Sequence, residues 1–411
     1  MRKARISVVL ILFINSICLA AAHAAVKQNA VCTKVSQVVV VGGYKFTCIK
    51  INGKLVWSGG KKVKTMSTNT TPPPTTTPAI PQDPISIQIE TLMKPAGGVS
   101  GVLLKSVKGA TIANFNSDTK FEPASSIKVL IAYYAFTKIS SGQLHLDDKI
   151  QAILADSPSI CPNPTPNGHE SVEVAIREMM QRSDNNRATE LMEYLGVPTL
   201  NSFAKSIGLM NTSFNTTPEF PGFIPLGCAL PYSTTNPETV HGNVSTLNDL
   251  TKIWELASNL SEPYRNDFMR LTAGQEMAAS QGYDFTGIWS DIVQIVKEEA
   301  PTSLSQAEVN SFIAELKSNS KGGSDVLCIS TSGCTKGRWW LSMFSLTTIP
   351  TCLSTKIIQS DSYVWGYFIV KADTSSIIFD QNNSVSTAFL KVGAEPIRNL
   401  IHNSLSTWGN C

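Results

Sequence analysis

Hydrophobic and polar positions divide the chain into four stretches. Met1-Arg2-Lys3-Ala4-Arg5 leads into an apolar run from Ile6 to Ala22, broken only by small polar residues, and then into Ala22-His23-Ala24. A charged start, an apolar centre and a small-x-small end predict a secretory signal over residues 1–24, cut after Ala24. The run is short for a spanning helix and lacks a basic stop-transfer flank. A lipoprotein signal needs a small residue before its cysteine, and Ile17 precedes Cys18. Over residues 30–62, short β-type runs alternate with glycine turns: Val38 to Val41, Gly42-Gly43, Tyr44 to Ile51, Asn52-Gly53 and Leu55 to Trp57. Asn-Gly between apolar runs predicts a hairpin, so this stretch reads as a small all-β module. Residues 65–84 are a Thr/Pro tract that cannot bury apolar surface and predicts an extended linker.

The rest, residues 85–411, is long enough for one large domain with its own core. Val99 to Val107 and Ala110 to Asn116 read as a strand pair joined at Lys108-Gly109. Helical periodicity covers Ser126 to Ser140, Val172 to Leu195 and Thr246 to Leu260, with more between Thr286 and Ser318. Two runs rich in β-formers, Trp339 to Ile349 and Tyr363 to Val370, precede a last helical segment ending near Ser404. Strands at both ends with helices between them predict an α+β fold whose N- and C-terminal strands share one antiparallel sheet.

Charge excludes one class of partner. Without Arg2, Lys3 and Arg5 of the signal, the 34 basic residues become 31 against 31 acidic ones, and a near-neutral chain implies no nucleic-acid or polyanion partner. Nine cysteines less Cys18 leave eight, an even number in a chain bound for an oxidising compartment, so disulfides are expected. Connectivity is open; local pairing suggests Cys32 with Cys48, Cys161 with Cys228, Cys328 with Cys334, and Cys352 with Cys411. Zinc spacing of the Cys-x-x-Cys kind is absent. His145, His169, His241 and His402 stand in unrelated contexts, with neither His-x-x-x-His nor Gly-x-Ser-x-Gly text nearby.

Ser-x-x-Lys recurs, at Ser58, Ser117, Ser125, Ser202 and Ser318, so context must choose among the copies. Only Ser125, in Phe121-Glu122-Pro123-Ala124-Ser125-Ser126-Ile127-Lys128, opens a long apolar helix. Backbone N–H groups at a helix start favour a developing anion, and a spacing of three puts Lys128 on the same face one turn along. A partly desolvated lysine there can take the hydroxyl proton and activate the serine. Ser183-Asp184-Asn185 occurs once and interrupts a helical pattern, where a polar triplet can also be a simple cap. Lys321-Gly322-Gly323-Ser324 precedes a β-rich segment and, alone, reads as a turn.

Taken in order, Ser-x-x-Lys, Ser-Asp-Asn and a Lys-Thr-Gly-like triplet resemble the signature of class A β-lactamases and penicillin-binding proteins. The likeness extends over residues 85–411 and is nearest to class A, including the 58-residue interval from Ser125 to Ser183 and the text Gly242-Asn243-Val244-Ser245-Thr246. It implies an antiparallel sheet flanked by helices plus a mostly helical part, and a shared division of labour. Ser125 would attack an amide with Lys128 in the proton path, and Ser183 would protonate the leaving nitrogen. Asn185 would bind the substrate's side-chain amide, and Lys321 would hold Ser183 and the substrate carboxylate. Gly323 and Ser324 would complete the substrate-binding residues, with the N–H groups of Ser125 and Ser324 as the oxyanion hole, where one donor is worth roughly 10²- to 10³-fold in rate. No metal or organic cofactor is implied.

Two departures stand out. Gly322 occupies the place of the family's Thr or Ser, whose hydroxyl contacts the substrate carboxylate; Arg338 is a substitute anchor, weighed against an ordinary solvated strand-end arginine. The family's deacylating glutamate sits in Glu-x-x-Leu-Asn text. Here Glu219 lies 36 residues after Ser183, but Leu-Asn is missing, and aligning Thr212 with the loop start puts Pro218 at the glutamate. Glu219 therefore stands as a catalytic candidate beside the reading of a solvated loop carboxylate.

The expectation is an exported protein, secreted or held in the cell envelope: a small β-module, a linker and a β-lactamase-like domain that opens β-lactam rings. A D-alanyl-D-alanine peptidase acting on peptidoglycan stem peptides and a silent wall-binding module are the alternatives. The β-module resembles short Cys-containing repeats near the N-termini of some exported bacterial proteins, which suggests cell-surface attachment. One covalent expectation is open to direct test. Cys328 and Cys334, six apart around the turn-rich stretch Ser330 to Gly333, should close a small ring. Non-reduced peptide mapping should recover them as one cross-linked pair; either thiol free, or joined elsewhere, rejects the pairing.

Overall fold

The computed structural model describes residues 30–32, 35, 38–41, 44–62, 86–87, 90–91, 99–152, 167–214, 243–274, 288–328, 337–353, 358–374 and 384–408. The chain divides into two compact units, Met1–Ala79 and Ile80–Cys411.

The first unit is built on a central strand. β2 (Tyr44–Ile51) pairs along its first half with β1 (Val38–Val41) and along its second with β3 (Lys54–Trp57), while β4 (Lys61–Lys62) pairs with Tyr44 and Lys45. Asn52 and Gly53 have φ of 48° and 82°, the two left-handed residues that a tight hairpin turn requires, so the Asn-Gly hairpin forms where the sequence predicts it. Cys32, Cys48 and Trp57 are the buried core, and a Cys32–Cys48 disulfide closes it. So small a unit cannot enclose enough apolar surface without a cross-link.

The second unit is a five-stranded antiparallel sheet with helices on both faces. Its strands are β5 (Val99–Ser106), β6 (Thr111–Phe115), β9 (Lys317–Cys328), β10 (Gly337–Leu353) and β11 (Ile358–Thr374), in the order β6-β5-β11-β10-β9. The first strand of the unit thus pairs with its last, Tyr367 opposite Val102, as the α+β reading anticipates. A short hairpin, β7 (Lys149–Ala152) with β8 (Gly168–Ser171), stands apart from the sheet.

Side chains alternate between two cores. Leu103, Phe344, Leu346, Val364 and Phe368 face one; Val102, Leu104, Trp365, Tyr367 and Ile369 face the other. The first core surrounds α1 (Lys128–Ser140), in which every residue from Lys128 to Phe136 is buried. A helix apolar all round belongs inside a layer of other helices. Five pack on it: α2 (Val172–Gln181), α3 (Asn185–Leu195), α4 (Val197–Ser206), α5 (Leu247–Ser258) and α6 (Tyr264–Thr272). The second core lies under α7 (Ile288–Glu299), α8 (Gln306–Glu315) and α9 (Ser384–Thr407).

Two sequence expectations are corrected. The pattern read as one helix over Val172 to Leu195 is two helices broken at residues 182–184. Lys321 to Ser324 is not a turn but the middle of β9, where two glycines and polar neighbours hid the strand from a propensity reading. Hairpin β7/β8 and helices α4 and α6 were not anticipated. Cys352 is disulfide-bonded; its expected partner Cys411 lies outside the described residues, as do Cys161, Cys228, Cys334, the side chain of Cys328, the signal and the linker. Among the described residues no helix is long and apolar enough to cross a membrane.

Candidate active site

Ser125 sits in a single 3₁₀ turn, Ala124–Ile127, that runs directly into α1. The turn is held from both sides. Upstream, Phe121 exchanges two backbone hydrogen bonds with Ser245 (3.0 Å each) and stacks on Phe368, with ring centroids 4.3 Å apart. Downstream, Ser126 Oγ donates to Pro123 O (2.6 Å) and lies 2.9 Å from Ser342 Oγ of β10, itself 3.0 Å from Pro123 O. Ala124, just before the half-buried Ser125, takes φ 45°, left-handed backbone. No hydrogen bond joins Ser125 Oγ to another described residue.

β9 is an edge strand, and it approaches this turn so closely that only glycine fits at residue 323. A Cβ there would lie 2.5 Å from Pro123 O and 2.6 Å from the amide nitrogens of Ser125 and Ser126. Neighbouring residues of a strand point to opposite faces, so Lys321 and Gly323 face the turn, whereas a Cβ on Gly322 would meet Met343 Cε at 2.7 Å. The backbone of Ser324 lies opposite Leu341, and that of Arg338 opposite Leu327; neither side chain is among those described.

The break between α2 and α3 supplies the third side. Ser183 takes φ 57°, and Asp184 caps α3 by accepting from Arg187 N (3.0 Å). The capping reading of this triplet holds for Asp184, while Ser183 and Asn185 lie against Lys128. Lys128 Nζ donates to Ser183 O and Asn185 Oδ1 (2.6 Å each) and lies 3.4 Å from Ser183 Oγ. Lys321 Nζ donates to the same Ser183 Oγ (2.9 Å) and to Gly322 O (2.7 Å). Both lysines are buried, at 0% and 1% exposure. Burial pushes the Lys128 amine well below the usual lysine value; repulsion from Lys321 lowers it further, and Asp184 opposes.

Lys128, Ser183, Asn185 and Lys321 are thus joined by direct hydrogen bonds, and Gly323 packs on the turn of Ser125. The hydrogen bonds of Lys128 run to the second motif and not to Ser125. Glu219 lies outside the described residues. Among the described residues just before it, Phe214 N donates to Asn201 Oδ1 and Asn201 Nδ2 to Phe214 O (2.8 Å each), and Ser213 bridges Val244. Sequence reading missed one supporting pair. Arg187 Nε and NH2 reach the two carboxylate oxygens of Glu170 on β8 (3.1 Å each), and NH1 reaches Asp184 Oδ2 (3.4 Å), which ties the Ser183 segment to the β7/β8 hairpin. Arg187 sits four residues after Ser183, a visible signal, but nothing in the sequence couples it to Glu170.

Residues 84–280 match the model of the beta-lactamase enzyme family, a span that takes in Ser125, Lys128, Ser183 and Asn185 and ends before Lys321. No curated protein matches the chain in sequence. Among solved structures, a class A beta-lactamase representative from Bacteroides cellulosilyticus superposes with a TM-score of 0.51 at 16% identity, over 79% of this chain and 97% of that one. The extended-spectrum beta-lactamase TLA-3 gives 0.52 at 15%, over 78% and 98%. A beta lactamase from Xanthomonas campestris gives 0.50 at 17%, over 77% and 97%. The resemblance read from the sequence is borne out, and the second unit has the class A beta-lactamase fold.

Two predictions follow from this geometry. In Gly323→Ala the added methyl must push β9 off the turn, with an expected loss of about 1–3 kcal/mol in urea unfolding and faster hydrogen exchange at the Ser125 and Ser126 amides; unchanged exchange would mean the contact is slack. The second concerns Lys128. An unfolded chain keeps that proton up to 10.5, whereas the fold releases it lower, so between the two values the unfolded state binds more protons and stability rises with pH. Urea-unfolding free energies of the natural protein should climb relative to Lys128→Met as pH rises toward 10.5 from below; parallel curves would show the amine charged in the fold.

Proposed function

We propose that the chain is an exported serine hydrolase, secreted or held in the envelope, that opens β-lactam rings through an ester on Ser125. The observation that carries this reading is that two buried amines, of Lys128 and Lys321, reach one hydroxyl, Ser183 Oγ, beside the turn bearing a serine whose own hydroxyl bonds to no other described residue. A neutral Lys128 has two N–H donors, taken by Ser183 O and Asn185 Oδ1, and one lone pair left to accept a proton.

Ser125 Oγ attacks the carbonyl carbon, its proton passes to Lys128 Nζ, and a C–O bond forms. The oxyanion is met by the N–H groups of Ser125 and Ser324. The C–N bond then breaks as Ser183 Oγ gives its proton to the nitrogen, and Lys128 returns one to Ser183. The Lys321 ammonium holds Ser183 Oγ as an acceptor through this exchange and draws the substrate carboxylate. Water finally hydrolyses the ester, with Glu219 as its base.

A peptidase of stem peptides ending in D-alanyl-D-alanine shares every step up to the ester, and the missing Leu-Asn text after Glu219 favours it. The two differ in how fast water removes the acyl group. Intact-protein mass spectrometry after penicillin treatment should find one adduct on the natural protein and none on Ser125→Ala; an equal adduct on the variant removes Ser125 from the mechanism, and no adduct on either favours the silent wall-binding module. Glu219→Gln should acylate normally but lose roughly 10²- to 10⁴-fold in turnover, the loss expected for a general base. Equal acyl-enzyme lifetimes in the two proteins remove Glu219, and a natural lifetime of many minutes assigns the chain to the peptidases.

A further inference from the structure

The near-neutral total conceals a segregation of charge. Eight lysines and no acidic residue lie between Ala25 and Gln82, and after Lys64 the chain carries 23 basic residues against 31 acidic ones. The first unit is therefore wholly cationic, and its structure gathers the charge beside apolar surface. Phe46 and Cys48 of β2 face the small core; Lys45, Ile49 and Ile51 face the opposite way. Directly paired residues share a face, which adds Lys61 opposite Lys45, Lys54 opposite Ile51 and Val56 opposite Ile49. Lys45, Lys54, Lys61, Ile49 and Ile51 are all exposed. Like charges directly opposite, as at Lys45 and Lys61, weaken a sheet that nothing neutralises.

The apolar part selects among anionic partners. Of ten large hydrophobic side chains that stand exposed among the described residues, six (Val31, Val35, Val38, Tyr44, Ile49 and Ile51) belong to this unit. A soluble polyanion would account for the lysines and leave the isoleucines in water. A small core explains some apolar exposure but does not bring lysines to the same face. A bilayer with anionic headgroups takes both, apolar side chains entering the interface and ammonium groups meeting phosphate.

We propose that the face of the first unit formed by Lys45, Ile49, Ile51, Lys54 and Lys61 docks on a bilayer containing anionic phospholipid. It holds the second unit near that surface, whatever reaction the latter performs.

Cosedimentation of the full chain with vesicles tests this. Binding should be strong to an equal mixture of phosphatidylcholine and phosphatidylglycerol, absent with phosphatidylcholine alone, and weakened by salt. Lys45→Gln/Lys54→Gln/Lys61→Gln should bind on the order of 10²-fold more weakly, about fivefold for each lysine brought near the surface. Its thermal stability should not fall, which separates lost binding from lost folding. Ile49→Ser/Ile51→Ser should also bind more weakly. The three proteins share every other residue, so differences among them belong to this face. No binding to the mixed vesicles, equal binding to phosphatidylcholine alone, or an unchanged lysine variant overturns the proposal. Full vesicle affinity in the isoleucine variant, with inorganic polyphosphate bound as tightly as vesicles, overturns it in favour of a soluble polyanion.

Discussion

Two amines cannot both be charged in one dry place without a cost, and the centre of the second unit is arranged around that constraint. Lys128 and Lys321 come from different elements, one a helix and the other an edge strand, and converge on Ser183 Oγ. The carbonyl oxygen of Ser183 and the amide oxygen of Asn185 face Lys128, dipoles able to solvate an amine but weaker than a full counter-charge. With no described carboxylate in direct contact with Lys128, burial favours its neutral form, and Asp184 opposes this only from a distance.

The remaining architecture keeps those groups apart from water and at fixed separations. α1 is enclosed by five helices, so the lysine at its first position has no route to solvent along its own helix. Among the described residues β9 pairs with one strand, β10, while Asn319 bridges Ala273 on its other side, and Gly323 sets how near its face comes to the Ser125 turn. Ser183 adopts left-handed backbone between two helices, a conformation unfavourable for a residue with a side chain. The Glu170–Arg187–Asp184 pairing braces it: a bidentate contact largely out of water, on which the following helix begins.

Much of this was legible in the sequence, for physical reasons that differ from residue to residue. Ser125 could be chosen from five Ser-x-x-Lys copies because only it opens an apolar helix, a local property. Ser183 and Asn185 were legible because a polar triplet that interrupts helical periodicity must either cap or serve. Lys321 was legible as a motif residue but not as a strand residue: glycines weaken β-propensity, and the strand is made by its pairing with β10. The Arg187–Glu170 pair was hidden because it joins a helix to a hairpin across 17 residues with no repeating pattern between them. A charge total cannot show the segregation, since a sum over the whole chain cancels a cationic first unit against an acidic excess in the second.

The pairing of β5 with β11 has a temporal meaning. Val102 cannot find Tyr367 until most of the chain between them has been made. With its central sheet contact spanning nearly the full length of the unit, the newly made polypeptide stays loose until synthesis is almost over, because so distant a closure forms slowly. A chain that delays its own collapse is easy to keep threadable, and equally easy to lose: a ribosome that stops short of β11 releases a product with an unpaired strand edge, prone to pair with another such chain.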